Sequence, residues 1–144
     1  MAPSARRLSV FDPGQFDLTH GIGADAAGRV FVADRSNSRA CRGSTVTDAS
    51  SPSGVVPTSG RPYAIALDSH GKAYVADGGD QPTDPPDRSA VAVLDSGGKV
   101  LTRFGRFGNY DGQFRRAHDI AVGPDGSVYV ADTGGQRIQK FIQK

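Results

Sequence analysis

The chain is poor in residues that staple or anchor a protein: one cysteine (Cys41), one methionine and no tryptophan among 144 residues. A single cysteine excludes an internal disulfide. No apolar run is long enough to form a helical membrane span. The segment Met1 to Arg7 carries two arginines with no apolar stretch behind them, so no secretory leader is visible and the compartment stays unassigned. Charge of one sign is scarce as well. Seventeen Lys and Arg against fifteen Asp and Glu leave a net +2, scattered along the chain. A nucleic-acid or membrane-surface partner finds no electrostatic footprint here.

Turn formers are plentiful: 19 Gly and 9 Pro point to an all-β chain with many reversals. One heptamer organises it. Gly28-Arg29-Val30-Phe31-Val32-Ala33-Asp34 returns as Gly71-Lys72-Ala73-Tyr74-Val75-Ala76-Asp77 and as Gly126-Ser127-Val128-Tyr129-Val130-Ala131-Asp132. An isoleucine (Ile22, Ile65 or Ile120) stands eleven residues before each Ala of V-A-D. A module of this length cannot bury its own apolar face and must stack on copies of itself.

Each copy reads as a β-meander. A short strand (Gly21 to Ala24, Ala64 to Leu67, Asp119 to Val122) meets a Gly-containing turn and then the alternating V-Y-V-A-D strand. Third strands are expected at Ser89 to Leu94 and Gln136 to Phe141, and a fourth at Lys99 to Phe104. Four antiparallel strands per forty-odd residues is the pattern of a β-propeller blade. The expected fold is therefore an all-β propeller fragment of about three blades. Residues 1–14 read as the last strand of an absent blade, because Arg7 to Phe16 mirrors Leu101 to Phe114. Residues 15–60 form a blade with an aberrant second half, 61–112 a blade with an inserted loop at 78–87, and 113–144 an incomplete blade. Missing blades or a second copy would be needed to close the ring.

Ala40 to Ser59 breaks the pattern with Ser/Thr/Pro/Gly-rich text. It reads either as a loop or as a frameshifted blade edge. A two-base shift with permitted codons yields V-Q-G-F-D-R-D-G-R-F-V-A-E-W-R, a strand, turn and strand. The expectation drawn from it is an irregular, poorly packed segment.

Two residues before each repeated Ile stand His20, Tyr63 and His118, the positions that differ between copies. Three further features carry a family resemblance. They are the V-Y-V-A-D strands, the tail Gly134-Gly135-Gln136-Arg137-Ile138-Gln139-Lys140-Phe141, and Gly-Gln-Phe ahead of His118. With these the chain resembles NHL-repeat proteins. The order of His20-Gly21-Ile22-Gly23, Ala33-Asp34-Arg35-Ser36-Asn37-Ser38-Arg39, Tyr63-Ala64-Ile65 and Phe114-Arg115-Arg116-Ala117-His118-Asp119-Ile120 is similar to that in the peptidyl-α-hydroxyglycine α-amidating lyases.

That resemblance implies a six-bladed propeller with a zinc ion held by three histidines at the channel mouth. It implies cleavage of a peptidyl-α-hydroxyglycine to a peptide amide and glyoxylate. His20 and His118 match two zinc ligands, Arg35 an arginine that holds and polarises the substrate, and Asp119 a carboxylate at a structural calcium. The third histidine belongs to blades outside this sequence, so the chain is expected to be an inactive half. Thr19 and Ala117 replace the family's usual prolines, and Arg116 replaces a methionine.

Plainer roles stand beside these. His20 and His118 can equally bond backbone at the blade mouth, and Tyr63 can pack in the channel. Arg35 can pair with Asp34, while Asp34, Asp77 and Asp132 accept turn hydrogen bonds. His70 sits solvated in a turn. The alternative function is a non-catalytic propeller that binds a protein or another ligand.

Overall fold

The computed structural model describes residues 16–37, 39–45, 54–57, 61–78 and 89–142. The expected strand at 1–14 and the inserted loop beyond Gly78 lie outside the described residues, as does the side chain of Cys41.

Three antiparallel meanders stand side by side. The first sheet runs β1 (Thr19–Ala24), β2 (Arg29–Asp34), β3 (Arg39–Thr45), β4 (Gly54–Pro57). The second runs β5 (Pro62–Leu67), β6 (Ala73–Asp77), β7 (Ala90–Leu94), β8 (Val100–Phe104). The third has β9 (Ala117–Val122), β10 (Val128–Asp132) and β11 (Arg137–Phe141). The first strands β1, β5 and β9 are neighbours, so the sheets fan around them as propeller blades do. The fold is part of a β-propeller. Among the described residues, no helix is long and apolar enough to cross a membrane.

Alternation builds the core. On the second sheet Ile65, Ala73, Val75 and Leu94 face the first blade, where Phe31 and Ala33 meet them. Ala64, Tyr74, Ala76, Val91 and Val93 face the third, against Ile120, Val128, Val130 and the fully buried Phe114. A period-two sequence buried on both faces, with a blade on each side, is what stacking requires. Gly21 and Gly23 let β1 lie close to β5. A Cβ at Gly21 would stand 2.6 Å from the Tyr63 carbonyl oxygen, and one at Gly23 would stand 2.7 Å from Leu67.

The first hairpins share one turn. Asp25 and Asp68 each use Oδ1 to accept two backbone N–H groups, from Ala27 and Arg29 and from His70 and Lys72. Gly28 and Gly71 close these turns at φ 76° and 79°, the left-handed region that glycine enters without strain. Asp95 and Gly98 repeat the device between β7 and β8.

Two expectations need correction. The first strands begin two residues earlier than the pattern marked, at Thr19, Pro62 and Ala117. The reason is a register shift near the start of each, which interrupts simple alternation. The segment after Asn37, expected to be irregular, forms two paired strands where it is described, with one register shift opposite Arg29 to Phe31. β3 pairs with β2 from Asp34↔Arg39 to Arg29↔Thr45, and β4 pairs with β3 from Arg39↔Pro57 to Arg42↔Gly54. The open edge of β2 presents unpaired N–H and C=O groups that the next extended segment satisfies, whatever its side-chain pattern.

Candidate functional site

Each register shift isolates one residue. Thr19 pairs with Asp34 and Gly21 with Ala33, leaving His20 as the extra residue of a β-bulge. Pro62 and Ala64 pair with Asp77 and Ala76 around Tyr63. Ala117 and Asp119 pair with Asp132 and Ala131 around His118. A bulge re-aims the side chain it frees. Here three bulges on adjacent blades bring three rings together. The ring centres lie 4.9 Å apart for His20 and Tyr63, 4.5 Å for Tyr63 and His118, and 5.2 Å for the two histidines. Residues 98 positions apart in the chain thus share one cluster.

The V-A-D ends hold these bulges. The residue after each Asp donates its N–H to the carbonyl two residues before the bulged one: Arg35 to Leu18, Gly78 to Arg61 and Thr133 to Arg116. The aspartates are buried. Asp34 accepts the Asp17 N–H and the Asn37 side-chain amide. Asp132 Oδ1 accepts the N–H groups of Arg115, Arg116 and Gly135 at 2.9, 2.8 and 3.1 Å. The expectation that these carboxylates accept turn hydrogen bonds is met for Asp34 and Asp132. Gly78 is needed for a second reason. A Cβ there would run into the Ala117 carbonyl and stand 2.7 Å from the Tyr63 ring.

Nδ1 of His20 lies 2.7 Å from the carbonyl oxygen of Tyr63. A carbonyl only accepts, so Nδ1 carries the proton, and in the neutral ring Nε2 keeps its lone pair. The plainer role for His20, bonding backbone at the mouth, is therefore realised at one nitrogen while the other stays available. Burial, together with the charges of His20, Arg116 and Arg35 and against the pull of Asp119, lowers the His118 pKa. His118 thus favours the neutral form that can accept a proton or ligate a metal.

Arg35 crosses from the first blade to the second. Its guanidinium lies 4.7 Å from the centre of the Tyr63 ring, and its Nη2 donates to the Tyr63 hydroxyl at 3.2 Å. Nothing in the sequence pattern marked this contact, since it joins a post-strand residue of one repeat to the variable position of the next. Tyr63 itself is 4% exposed, as an aromatic packed at the mouth should be. Asp119 is exposed beside the cluster, with Oδ1 accepting the Ile120 N–H at 2.8 Å.

The donor set fits zinc in kind and falls short in number. Two imidazoles, one oriented by a backbone carbonyl, are the chemistry a zinc centre uses. Such a centre needs at least three protein ligands, and no group of three His, Cys, Asp or Glu able to hold a metal occurs among the described residues. The same observation applies to calcium at Asp119. A cleft of about 660 Å³ lies at the opposite end of the second and third sheets, lined by Asp68, His70, Lys72 and Asp125. Its carboxylates already serve the turns.

Residues 114–141 match the NHL repeat family model. No curated protein sequence matches the chain. Among solved structures, a streptogramin B lyase aligns with TM-score 0.58 at 15% identity over 85% of this chain and 36% of its own. Virginiamycin B lyase from Staphylococcus aureus aligns with TM-score 0.56 at 14% identity over 90% and 42%. A chain of a nidogen/laminin complex gives 0.56 at 15% identity over 85% and 47%. These likenesses establish the propeller fold. The chain spans between about a third and a half of the length of these structures.

Proposed function

We propose that the bulge cluster of His20, Tyr63 and His118, with Arg35, is the substrate end of a lyase-type propeller whose substrate is a peptidyl-α-hydroxyglycine. The carrying observation is that three successive blades each spend a β-bulge to aim one side chain at a single point. The similarity to two lyases of the same fold supports the reaction class, and the residue order described above supports the substrate.

The chemistry assigned to the chain's own groups is modest and balanced. Arg35, forked and permanently charged, binds the substrate carboxylate beside the Tyr63 hydroxyl. Neutral His118 accepts the proton of the α-hydroxyl as the C–N bond breaks. The electrons of the O–H bond form the glyoxylate carbonyl, and the C–N pair leaves with the amide nitrogen, which takes up a proton. Were zinc held by His20, His118 and a third ligand, it would supply Lewis acidity at the hydroxyl oxygen, and His118 would then orient the metal in place of accepting the proton.

The test is release of glyoxylate from a synthetic peptidyl-α-hydroxyglycine, followed by coupled reduction. His118→Ala is expected to lose at least a hundredfold in rate, and Arg35→Ala to raise KM. Absence of turnover with the cluster folded, alongside peptide or protein capture lost on Arg35→Ala, would instead support the binding propeller.

A further inference from the structure

Residues 105–116, which carry the chain from β8 to β9, form a loop whose backbone is bonded inward. Gly108 donates its N–H to the Phe114 carbonyl, and Phe114 donates to the Arg106 carbonyl. Arg137 Nη2 donates to the carbonyls of Tyr110 and Gln113, while the Gln139 amide accepts from Gly112 and donates to Gln113. Asp132 holds the N–H groups of Arg115 and Arg116, and the Arg116 carbonyl accepts from Thr133. Only the Phe114 side chain is buried. Outside stand Phe107, 37% exposed, Tyr110, 78% exposed, and the exposed arginines 106, 115 and 116. A loop fixed this firmly by its backbone presents aromatic and guanidinium side chains in set places, as recognition surfaces do.

Part of this surface leads directly from the ring cluster. Arg116 stands two residues before His118, and its charge, like that of Arg35, reaches the His118 ring. Arg115 follows, with its guanidinium 5.1 Å from the centre of the Phe107 ring. Among the described residues neither Arg115 nor Arg116 lies within ion-pair distance of a carboxylate, whereas Arg137 meets both Asp111 and Asp132. We propose that the surface running from His118 over Arg116 and Arg115 to Phe107 binds the peptide portion of the substrate. It selects peptides with carboxylate side chains close upstream of the reacting end and an aromatic residue further out. A guanidinium takes a carboxylate through paired N–H donors, and Phe107 offers the aromatic residue a ring to pack on.

Charge favours a peptide over a nucleic acid. Asp119 is exposed next to His118, and Asp111 is exposed on the loop itself. A nucleic-acid backbone would carry a phosphate charge past both aspartates. A peptide sets its carboxylates only where arginines meet them. The inference rests on the proposed function for which end of the peptide lies at His118. The preference for acidic peptides is read by binding, without turnover, so the two can fail separately.

The probes are fluorescein-labelled synthetic peptides ending in glycine, with Glu, Gln or Lys at both residues before it and Phe or Ser further upstream. Fluorescence anisotropy with the 144-residue chain is expected to show the Glu peptide binding about tenfold tighter than the Gln peptide. Arg116→Met, similar in length and uncharged, should abolish that preference while the Gln peptide keeps its affinity. Arg116→Glu should turn the preference toward the Lys peptide, an outcome that misfolding cannot produce. Phe107→Ser should remove the advantage of Phe over Ser in the peptide. Lys99→Glu, beside the turn that meets Gly71 at the opposite end of the sheet, should change nothing. Equal binding of the Glu and Gln peptides, no binding of either, or a preference that survives both Arg116 variants overturns the inference. So does displacement of the Glu peptide by an oligouridylate at a lower concentration than unlabelled peptide needs. A chain that binds with the stated preference and releases no glyoxylate loses the reaction and keeps the surface. Equal glyoxylate release from hydroxylated Glu and Gln peptides keeps the reaction and strikes the surface.

Discussion

Oδ1 of Asp132 accepts the N–H of Arg116 at 2.8 Å, across sixteen residues of chain. The bond ties the end of one strand to the approach of another, and the residue it steadies lies two places before His118. Its neighbours Arg115 and Gly135 donate to the same oxygen. One buried carboxylate therefore organises the backbone from which the third bulge springs.

Asp132→Ala is expected to destabilise the chain by about 3 kcal/mol, since three backbone donors lose a charged acceptor in a buried place. Urea denaturation measures it. A loss under about 0.5 kcal/mol, the range of ordinary surface changes, would show that water replaces the carboxylate.

Gly78→Ala should cost about 2 kcal/mol through overpacking alone, because its Cβ meets Tyr63 and the Ala117 carbonyl. The ring proton shifts of Tyr63 should move with it. Unchanged shifts and melting temperature would mean that the second and third blades part easily at the mouth.

The folded state holds His118 below the ordinary histidine value of about 6.5. Between the folded value and the unfolded one, the unfolded chain binds more protons, so stability rises with pH across that window and falls as pH drops through it. His118→Gln is expected to flatten this part of the pH–stability curve. Its own titration, followed by the NMR signal of the Cε1 proton, should move upward in His20→Ala, which removes a neighbouring positive charge. A downward or absent shift would refute the coupling.

Phe114 is fully buried between the second and third blades, 5.6 Å from the Phe141 ring centre. Phe114→Ala should cost about 4 kcal/mol and is expected to separate the third blade's amide exchange from that of the second. Uniform loss of protection in all three sheets would show a single cooperative unit instead.

The repeat made much of this molecule readable. A heptamer recurring behind an isoleucine gave the strands, their turns and the equivalence of His20, Tyr63 and His118, because a stacked module must alternate and reverse at fixed places. The bulges were not readable. A bulge is a disagreement in count between two paired strands, and only the pairing partner reveals it. The V-A-D aspartate was the one local trace of it, recurring where a loop had to be fastened. Arg35 was noticed for its place in a motif, yet its partner Tyr63 belongs to the next blade, which spacing within one repeat cannot reach. Residues 39–45 and 54–57 misled in the opposite direction. Their side-chain pattern carries no strand signal, and the hydrogen-bonding demand of the edge beside them decides the outcome.

The glycines at 21 and 23 have a geometric consequence. Where β1 meets β5 the facing side chains are absent, while one strand further out Phe31 fills the gap. The joint between these blades is thin at its inner rim and thick outside, like the mortar between the stones of an arch. The second joint opens with Ala64 inside and Tyr74 behind it. Curvature is thus written in the size difference between neighbouring small and aromatic positions. Exchanging them would change the radius of the arch before it changed the strands.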